Sequence, residues 1–466
     1  MQCKSLKEFN IDYSLLENID NNLLFEFDMM PLYKEQLFVI VATSKTNLTV
    51  DKIVTIFNQP IKFIHVLHQE LQFEWKNLQF KKKLFLLATK ALDTIENESK
   101  NSYIIEFIDE VLRFSIENNV SDIHYECFEK SVVLRLRIDG VLNQFFRFDI
   151  SLYTVISSSI KYLGNLDLSQ KRLPLNARFS RVIESKSFDI RISTMPSIHG
   201  ESIVLRILDN GNIEKNLQEI GFENQTLNAI ENILTLTQGL VLVTGPTGSG
   251  KTTTLYSMLN KINTTEKKII TIEDPVEYKL DGIVQVNVNT DINLDYSTVL
   301  KNILRQDPDC IMIGEIRDQE SLQIAIQAAL TGHLVIATLH TNNAIETITR
   351  LLDLNTKPYL IAATLKMVIS QRLLRVLCDS CKEKESDLTY KSIGCKECNF
   401  TGYNGRQVVS EVLKINSEIA KIITNSREIS NIEEYLKKKD FQSLAVNGKK
   451  LVFEAKTSYS EYHSKL

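Results

Sequence analysis

The chain has 466 residues, 43% hydrophobic and 24% charged, which is the balance of an ordinary soluble protein with room for two or three domains. A formal net charge of −4 argues against a general nucleic-acid binder, although a local basic patch remains compatible with it. Residues 1–20 carry no basic stretch followed by an apolar one, and no apolar run approaches the ~20 residues of a membrane-spanning helix, so the chain is expected to stay in the cytoplasm and to meet a membrane only through partners.

Taken in chain order, residues 1–95 predict a small α/β module: a strand over Gln36 to Thr43, a helix over Val50 to Phe57 and a second strand over Ile61 to Val66. They carry no recognisable chemistry. The polar stretch Ala91 to Asn101 marks a first break, and the turn-rich Asp209 to Asn216 a second, giving three segments of about 1–95, 100–210 and 217–466. The middle segment opens with an amphipathic helix over Ile104 to Asn118. Strands of alternating apolar and basic residues follow, beginning with Val132 to Ile138, which ends in an Asp139-Gly140 turn. Phe188 to Thr194 and Ile203 to Leu208 repeat the pattern, each with an arginine, Arg191 and Arg206. On pattern alone these arginines fit either a solvated strand face or cations that reach a nucleotide's γ-phosphate.

The third segment holds the strongest signal. A buried strand, Leu240 to Val243, leads into Gly245, Pro246, Thr247, Gly248, Ser249, Gly250, Lys251, Thr252 and Thr253, and a helix is predicted from Thr252 to Asn260. Such a loop lets backbone N–H groups close around phosphates, while Lys251 neutralises their charge and the Thr252 hydroxyl is placed for Mg²⁺. Strand, loop and helix in this order make a nucleoside triphosphate the expected ligand. Lys268 to Ile272 is a second strand, ending in Glu273, Asp274 and Glu277. Cys310 to Ile313 is a third, ending in Gly314-Glu315. Acidic groups at the carboxyl ends of parallel strands beside a phosphate loop suit Mg²⁺ binding and activation of water. A further strand is predicted to begin at His333 and end at His340. On position alone His340 is either a structural residue or a sensor of nucleotide state.

Seven cysteines are present, and four form two Cys-x-x-Cys pairs, Cys378 with Cys381 and Cys395 with Cys398, separated by thirteen residues. Two such knuckles in a cytosolic chain predict one structural tetrathiolate Zn²⁺ site.

Together these motifs resemble the type II secretion and type IV pilus assembly ATPases, the GspE/PilB-like family of the secretion ATPase superfamily. The resemblance rests on GPTGSGKTTTLY at 245–256, TIEDPVEY at 271–278, RQDPDCIMIGEIRD at 305–318 and TGHLVIATLHTN at 331–342. Upstream it rests on SDIHYE at 121–126, LRIDGVL at 136–142, KRLPLNARFS at 171–180 and STMPSIHGESIVLRIL at 193–208, and downstream on QRLLRVLC at 371–378 and TGYNGR at 401–406. The resemblance implies an α/β chain with a small N-terminal adaptor domain, a PAS-like α+β middle domain and a C-terminal RecA-like P-loop ATPase domain carrying the four-cysteine zinc module at 378–398. It implies Glu277 as general base, Glu315 as organiser of Mg²⁺ and water, His340 as a γ-phosphate contact, and Arg191 and Arg206 as middle-domain arginines that close onto nucleotide. It also implies a homo-hexamer using ATP, Mg²⁺ and Zn²⁺, an inner-membrane platform protein and a membrane-linked adaptor as partners, and no direct nucleic acid. The region Phe38 to Phe73 resembles the adaptor domain more weakly.

Two departures stand out. Leu175, Asn176 and Ala177 replace a usual Gln-Asp-Gly, and the interval between cysteine pairs is short. Two other readings stay open at this stage: a nucleotide-binding scaffold with little hydrolysis, and a nucleic-acid-dependent RecA-like motor.

Overall fold

The computed structural model describes residues 3–16, 19–46, 57, 59–94, 97–208, 215–425 and 429–466. Of the helix predicted over 50–57 only Phe57 is described, and most of the break at 209–216 also lies outside these residues. The chain divides into two compact units. The first holds residues 1–209 with 378–382 and 392–404, and the second holds 210–377, 383–391 and 405–466.

The first unit contains two sheets. β1 (Met29–Glu35) pairs antiparallel with β2 (Phe38–Thr43), which pairs in parallel with β3 (Ile61–His65). Helices His68–Lys76, Leu78–Asp93 and Asn97–Glu117 follow. A six-stranded sheet then forms from β4 (Val120–Cys127), β5 (Ser131–Ile138), β6 (Val141–Asp149), β7 (Leu175–Ile183), β8 (Lys186–Ser197) and β9 (Gly200–Leu208), in the order β6-β5-β4-β9-β8-β7. The β5–β6 hairpin turns on Asp139 and Gly140, with φ of 49° and 82°. Two successive positive φ values match the right-handed twist of the flanking strands, which explains why Asp-Gly stands there.

The segments 1–95 and 97–208 share one hydrophobic core. Phe80 stacks on Phe114 at 4.3 Å between ring centroids, and Phe114 meets Phe145 at 4.7 Å, so two helices and β6 close on a single aromatic cluster. The Leu175-Asn176-Ala177 departure causes no interruption. All three residues pair in register with Thr194, Ser193 and Ile192 at the start of β7.

The second unit is built on one seven-stranded sheet. Its strands are β10 (Gly239–Thr244), β11 (Ile269–Glu273), β12 (Val284–Asn287), β13 (Cys310–Ile313), β14 (Leu334–Leu339), β15 (Leu365–Leu377) and, after the short hairpin of β16 (Glu383–Lys384) and β17 (Tyr390–Lys391), β18 (Tyr403–Lys414). The order is β12-β11-β13-β14-β10-β15-β18. Every residue of β10, β11, β13 and β14 is buried, as parallel strands covered by helices on both faces require. His333, expected to open a strand, instead donates its backbone N–H to Ala328 O at 3.1 Å, so the helix end holds it and β14 starts at Leu334.

The sheet order sets the site. β14 lies between the strand of the phosphate loop and β13, in register with both: Val241 pairs with Ile336, and Met312 with Ile336. The carboxyl ends of these strands therefore open side by side. The strand order switches direction between β14 and β10, and such a switch in an open parallel sheet creates the crevice in which ligands bind.

Candidate nucleotide site and cysteine cluster

The phosphate loop leaves β10 at Gly245, where φ is 145° and a β-carbon would lie 2.5 Å from Gln371 O and 2.6 Å from Ser249 Oγ. Only glycine permits that approach. Gly248, at φ 78°, turns the tip, and the helix Lys251–Ile262 begins immediately after Gly250. Pro246 to Gly248, Thr252 and Thr253 are exposed, whereas Ser249 is buried and its hydroxyl has no partner. Gln371 braces the loop from β15. Its Nε2 donates to Ser249 O at 2.8 Å while its Oε1 accepts from Thr254 Oγ1 at 3.0 Å.

The Lys251 ammonium donates to Gly245 O at 2.8 Å and Pro246 O at 3.0 Å. Desolvation lowers its pKa to about 8; the charge of Glu315 opposes that shift and the charge of Arg372 adds to it. A lysine so poised gains more from an anion than a fully hydrated one, because phosphate oxygens replace water it has already lost.

Glu315, just beyond β13, is the hub of an ion-pair network. Its Oε2 accepts from Arg317 Nε at 2.9 Å and its Oε1 lies 3.3 Å from His340 Nε2. Arg317 Nη1 also donates to Asp274 Oδ2 at 3.3 Å. The turn is held by Gly314 N–H on Ile272 O at 2.8 Å and by Thr338 Oγ1 on Gly314 O at 2.5 Å, which ties β11, β13 and β14 together. Desolvation lowers the His340 pKa, and the charge of Lys251 lowers it further, so a neutral imidazole faces the site at pH 7. Lys251, Glu315 and His340, picked out separately in sequence, thus act on one another electrostatically.

The acidic cluster after β11 separates into different environments. Glu273 is 4% exposed and accepts from Tyr256 OH, from Thr271 Oγ1 at 2.6 Å and from Gln285 Nε2 at 3.2 Å, so its carboxylate is saturated and structural. Asp274 is exposed beside Arg317. Glu277 lies half-buried on the following loop, and its backbone N–H donates to Tyr256 OH at 3.2 Å, which links this segment to the helix that follows the phosphate loop.

In the first unit, Arg191 and Arg206 are direct cross-strand neighbours on β8 and β9. They belong to one row across five strands: Arg137, Asp122, Arg206, Arg191 and Arg178. Asp122 is buried and accepts from Arg206 Nε at 2.8 Å, with Arg137 Nε at 3.4 Å. Burial pushes its pKa up, but hydrogen bonds from Arg206 and Ser121 and the charges of Arg206 and Arg137 together outweigh that and hold it below the usual carboxylate range. Asp122 thus holds Arg206 and Arg137, and at the far end of the row Asp189 accepts from Arg178 Nη2 at 2.5 Å.

The four cysteine sulfurs lie within 4.8 Å of one another. Separations of 3.8 Å (Cys378 to Cys395), 3.7 Å (Cys381 to Cys398) and 3.8 Å (Cys395 to Cys398) match the edge of about 3.8 Å expected for a tetrahedron of thiolates 2.3 Å from a central zinc. Backbone N–H groups of Gly394, Cys395 and Gly402 donate to Cys381 Sγ and Cys398 Sγ at 3.1 to 3.3 Å. The cluster is therefore suited to a tetrathiolate metal site. Its residues 378–382 and 392–404 pack within the first unit, although the sequence division placed the module in the C-terminal segment; side chains of the helix His68–Lys76 reach its backbone.

A phosphate loop on one strand, an acid on the strand two places away and a polar residue ending the strand between them define a RecA-like P-loop nucleotide-binding protein. The family model described as "Type II/IV secretion system protein" matches residues 97–464, and the chain belongs to that family of secretion ATPases. It is 41% identical over 374 residues to the type II secretion system protein HxcR of Pseudomonas aeruginosa, covering 80% of this chain and 79% of that protein. It is 40% identical over 361 residues to the type II secretion system ATPase E of Vibrio cholerae, covering 74% and 72%. Among solved structures, the Legionella pneumophila ATPase DotB aligns with a TM-score of 0.60 at 23% identity, covering 77% of this chain and 95% of that one, a likeness of fold. The pilus retraction motor PilT with bound ADP aligns with a TM-score of 0.54 at 27% identity, covering 77% and 96%.

Residues that sequence reasoning did not single out include Arg317, Gln371, Tyr256 and Asp122. Arg317 lies inside a motif that was recognised. Gln371, Tyr256 and Asp122 also lie inside recognised motifs, but nothing local to them names their partners, which are distant in sequence. Among the described residues no helix is long and apolar enough to cross a membrane.

Proposed function

We propose that this chain is a Mg²⁺-dependent ATPase that works as a cytoplasmic homo-hexamer and powers assembly of a type II secretion pseudopilus or a type IV pilus. The observation that carries the reading is the juxtaposition of Lys251, Glu315 and His340 at the ends of β10, β13 and β14 in a member of the secretion ATPase family.

Phosphates bind where the exposed loop tip and the start of the helix Lys251–Ile262 present backbone N–H groups, and Lys251 moves from its loop carbonyls to the β- and γ-phosphates. Thr252 and Glu315 would hold Mg²⁺, which neutralises charge on the β- and γ-phosphate oxygens. Glu315 fits this role, since it lies close enough to Lys251 for its charge to act on the ammonium. Glu277 takes the proton of the attacking water, and His340, neutral at pH 7, donates a hydrogen bond to the γ-phosphate. Arg191 and Arg206, on family resemblance, supply cations to the same phosphates when the middle domain closes. Cys378, Cys381, Cys395 and Cys398 would hold one structural Zn²⁺, which cross-links two stretches of chain and leaves no open coordination position.

In this reading residues 1–95 dock on a membrane-linked adaptor, residues 100–210 form the PAS-like domain that moves with them, and residues 217–466, apart from the cysteine module at 378–382 and 392–404, form the RecA-like motor. Contact with the inner membrane runs through the platform protein. The test is ATP turnover of purified Lys251→Ala, with and without Mg²⁺, measured beside export or fibre assembly in cells carrying the same variant. Loss of both together supports the motor. Export that persists without hydrolysis sinks it.

A further inference from the structure

The helix His68–Lys76 and the cysteine module lie more than 300 residues apart in sequence and meet within one compact unit. Gln69 Nε2 donates to Ile393 O at 2.8 Å, two residues before the third cysteine. Lys76, the last residue of the helix, donates from its ammonium to Lys396 O and to Asn399 Oδ1, so its charge sits over the Cys395-x-x-Cys398 knuckle.

Four thiolates around one divalent ion carry a net charge of about −2. Backbone N–H groups spread part of that charge, but they are neutral dipoles. A cation fixed by two hydrogen bonds to the knuckle's own backbone offsets it more strongly, and it does so only while the loop 395–399 holds the shape that four ligated sulfurs impose.

We propose that Lys76 is an outer-sphere partner of the tetrathiolate site and that metal occupancy clamps the helix His68–Lys76 to the cysteine module, with Gln69 as the second contact. The inference rests on the reading of the four cysteines as a zinc site. Lys76 is a positioning residue: it touches no metal, and it acts by holding the knuckle and balancing its charge. The consequence is a link between the metal state of the module and the N-terminal segment, independent of the nucleotide loop. Loss of metal frees the loop 392–399, and the helix loses both tethers.

The test uses the full-length chain. Zinc content is measured on wild type, Lys76→Met, Lys76→Arg and Gln69→Ala, followed by the rate of zinc transfer to a chromogenic chelator. Amide hydrogen exchange of peptides covering 68–76 and 392–399 is then compared before and after chelation. Lys76→Met should release zinc about tenfold faster than wild type, and Lys76→Arg, which keeps the charge, should stay within about twofold. Gln69→Ala should fall between them. Chelation should raise exchange in both peptides of the wild type. Stoichiometric zinc with equal release from wild type and Lys76→Met overturns the inference and leaves the zinc site standing, as does exchange in 68–76 that ignores chelation. A wild-type chain without zinc overturns the zinc reading and the inference with it.

Discussion

The charges around Lys81 in the first unit and around Lys251 in the second are arranged on opposite principles. In the first unit Lys81 is 1% exposed, sits 2.6 Å from Glu74 Oε1 and lies over the rings of Phe73 and Phe145 at 5.2 and 4.9 Å, while Tyr13 OH donates to the other Glu74 oxygen at 3.1 Å. The second unit gathers Lys251, Glu315, His340, Arg317 and Asp274 at a half-open rim, with the lysine held by loop carbonyls. A sealed pair fixes a packing arrangement. A partly hydrated cluster with an unusually easily neutralised lysine is prepared for a charged ligand.

Mutations in the two places should therefore fail in different ways. Lys251→Ala should lower ATP turnover by about 10²-fold or more while the thermal midpoint stays close to wild type, measured by phosphate release and by melting. Lys81→Met leaves the largely covered Glu74 without its cation and should cost about 3 kcal/mol in chemical denaturation, with ATP turnover per folded molecule retained. A double variant, Lys81→Met with Glu74→Leu, should recover much of that loss. Recovery of nothing would place the defect in packing rather than charge.

A smaller effect follows from the titration of Lys251. Its pKa falls from 10.5 to about 8 in the folded chain, so between these values the unfolded chain binds more protons than the folded one, and stability rises with pH. The melting difference between wild type and Lys251→Met should therefore move in favour of wild type from pH 8 to 10.5 and stay flat below pH 8. Smallest of all, Gln371→Ala removes the brace between β15 and the phosphate loop. It should cost about 1 kcal/mol of stability and raise the KM for ATP while leaving kcat nearly unchanged, as steady-state kinetics would show.

Much of the nucleotide site was legible in sequence because its parts are local. A phosphate loop needs its glycines, lysine and hydroxyl within a few residues, and each acidic motif directly follows its own strand. The strand order that brings Glu315 and His340 together was legible only through family resemblance, since no local pattern states which strand lies beside which. Glu273 shows the limit clearly. In sequence it is one of three acids after β11, and only Tyr256, Thr271 and Gln285 reveal that it is structural. Gln371 lies 122 residues from Ser249, and Lys76 lies 320 residues from Lys396, so neither brace has a signature along the chain. The same holds for the shared core of residues 1–95 and the six-stranded sheet, where Phe80, Phe114 and Phe145 each look like ordinary amphipathic positions.

The most direct measurement is ATP turnover and export by Glu315→Gln in parallel with wild type. The substitution keeps the shape of the side chain and removes the charge at the hub of the network. ATP binding is expected to persist while hydrolysis and export both fall to background. Hydrolysis at the wild-type rate, or export continuing after hydrolysis has stopped, would contradict a motor driven from this site.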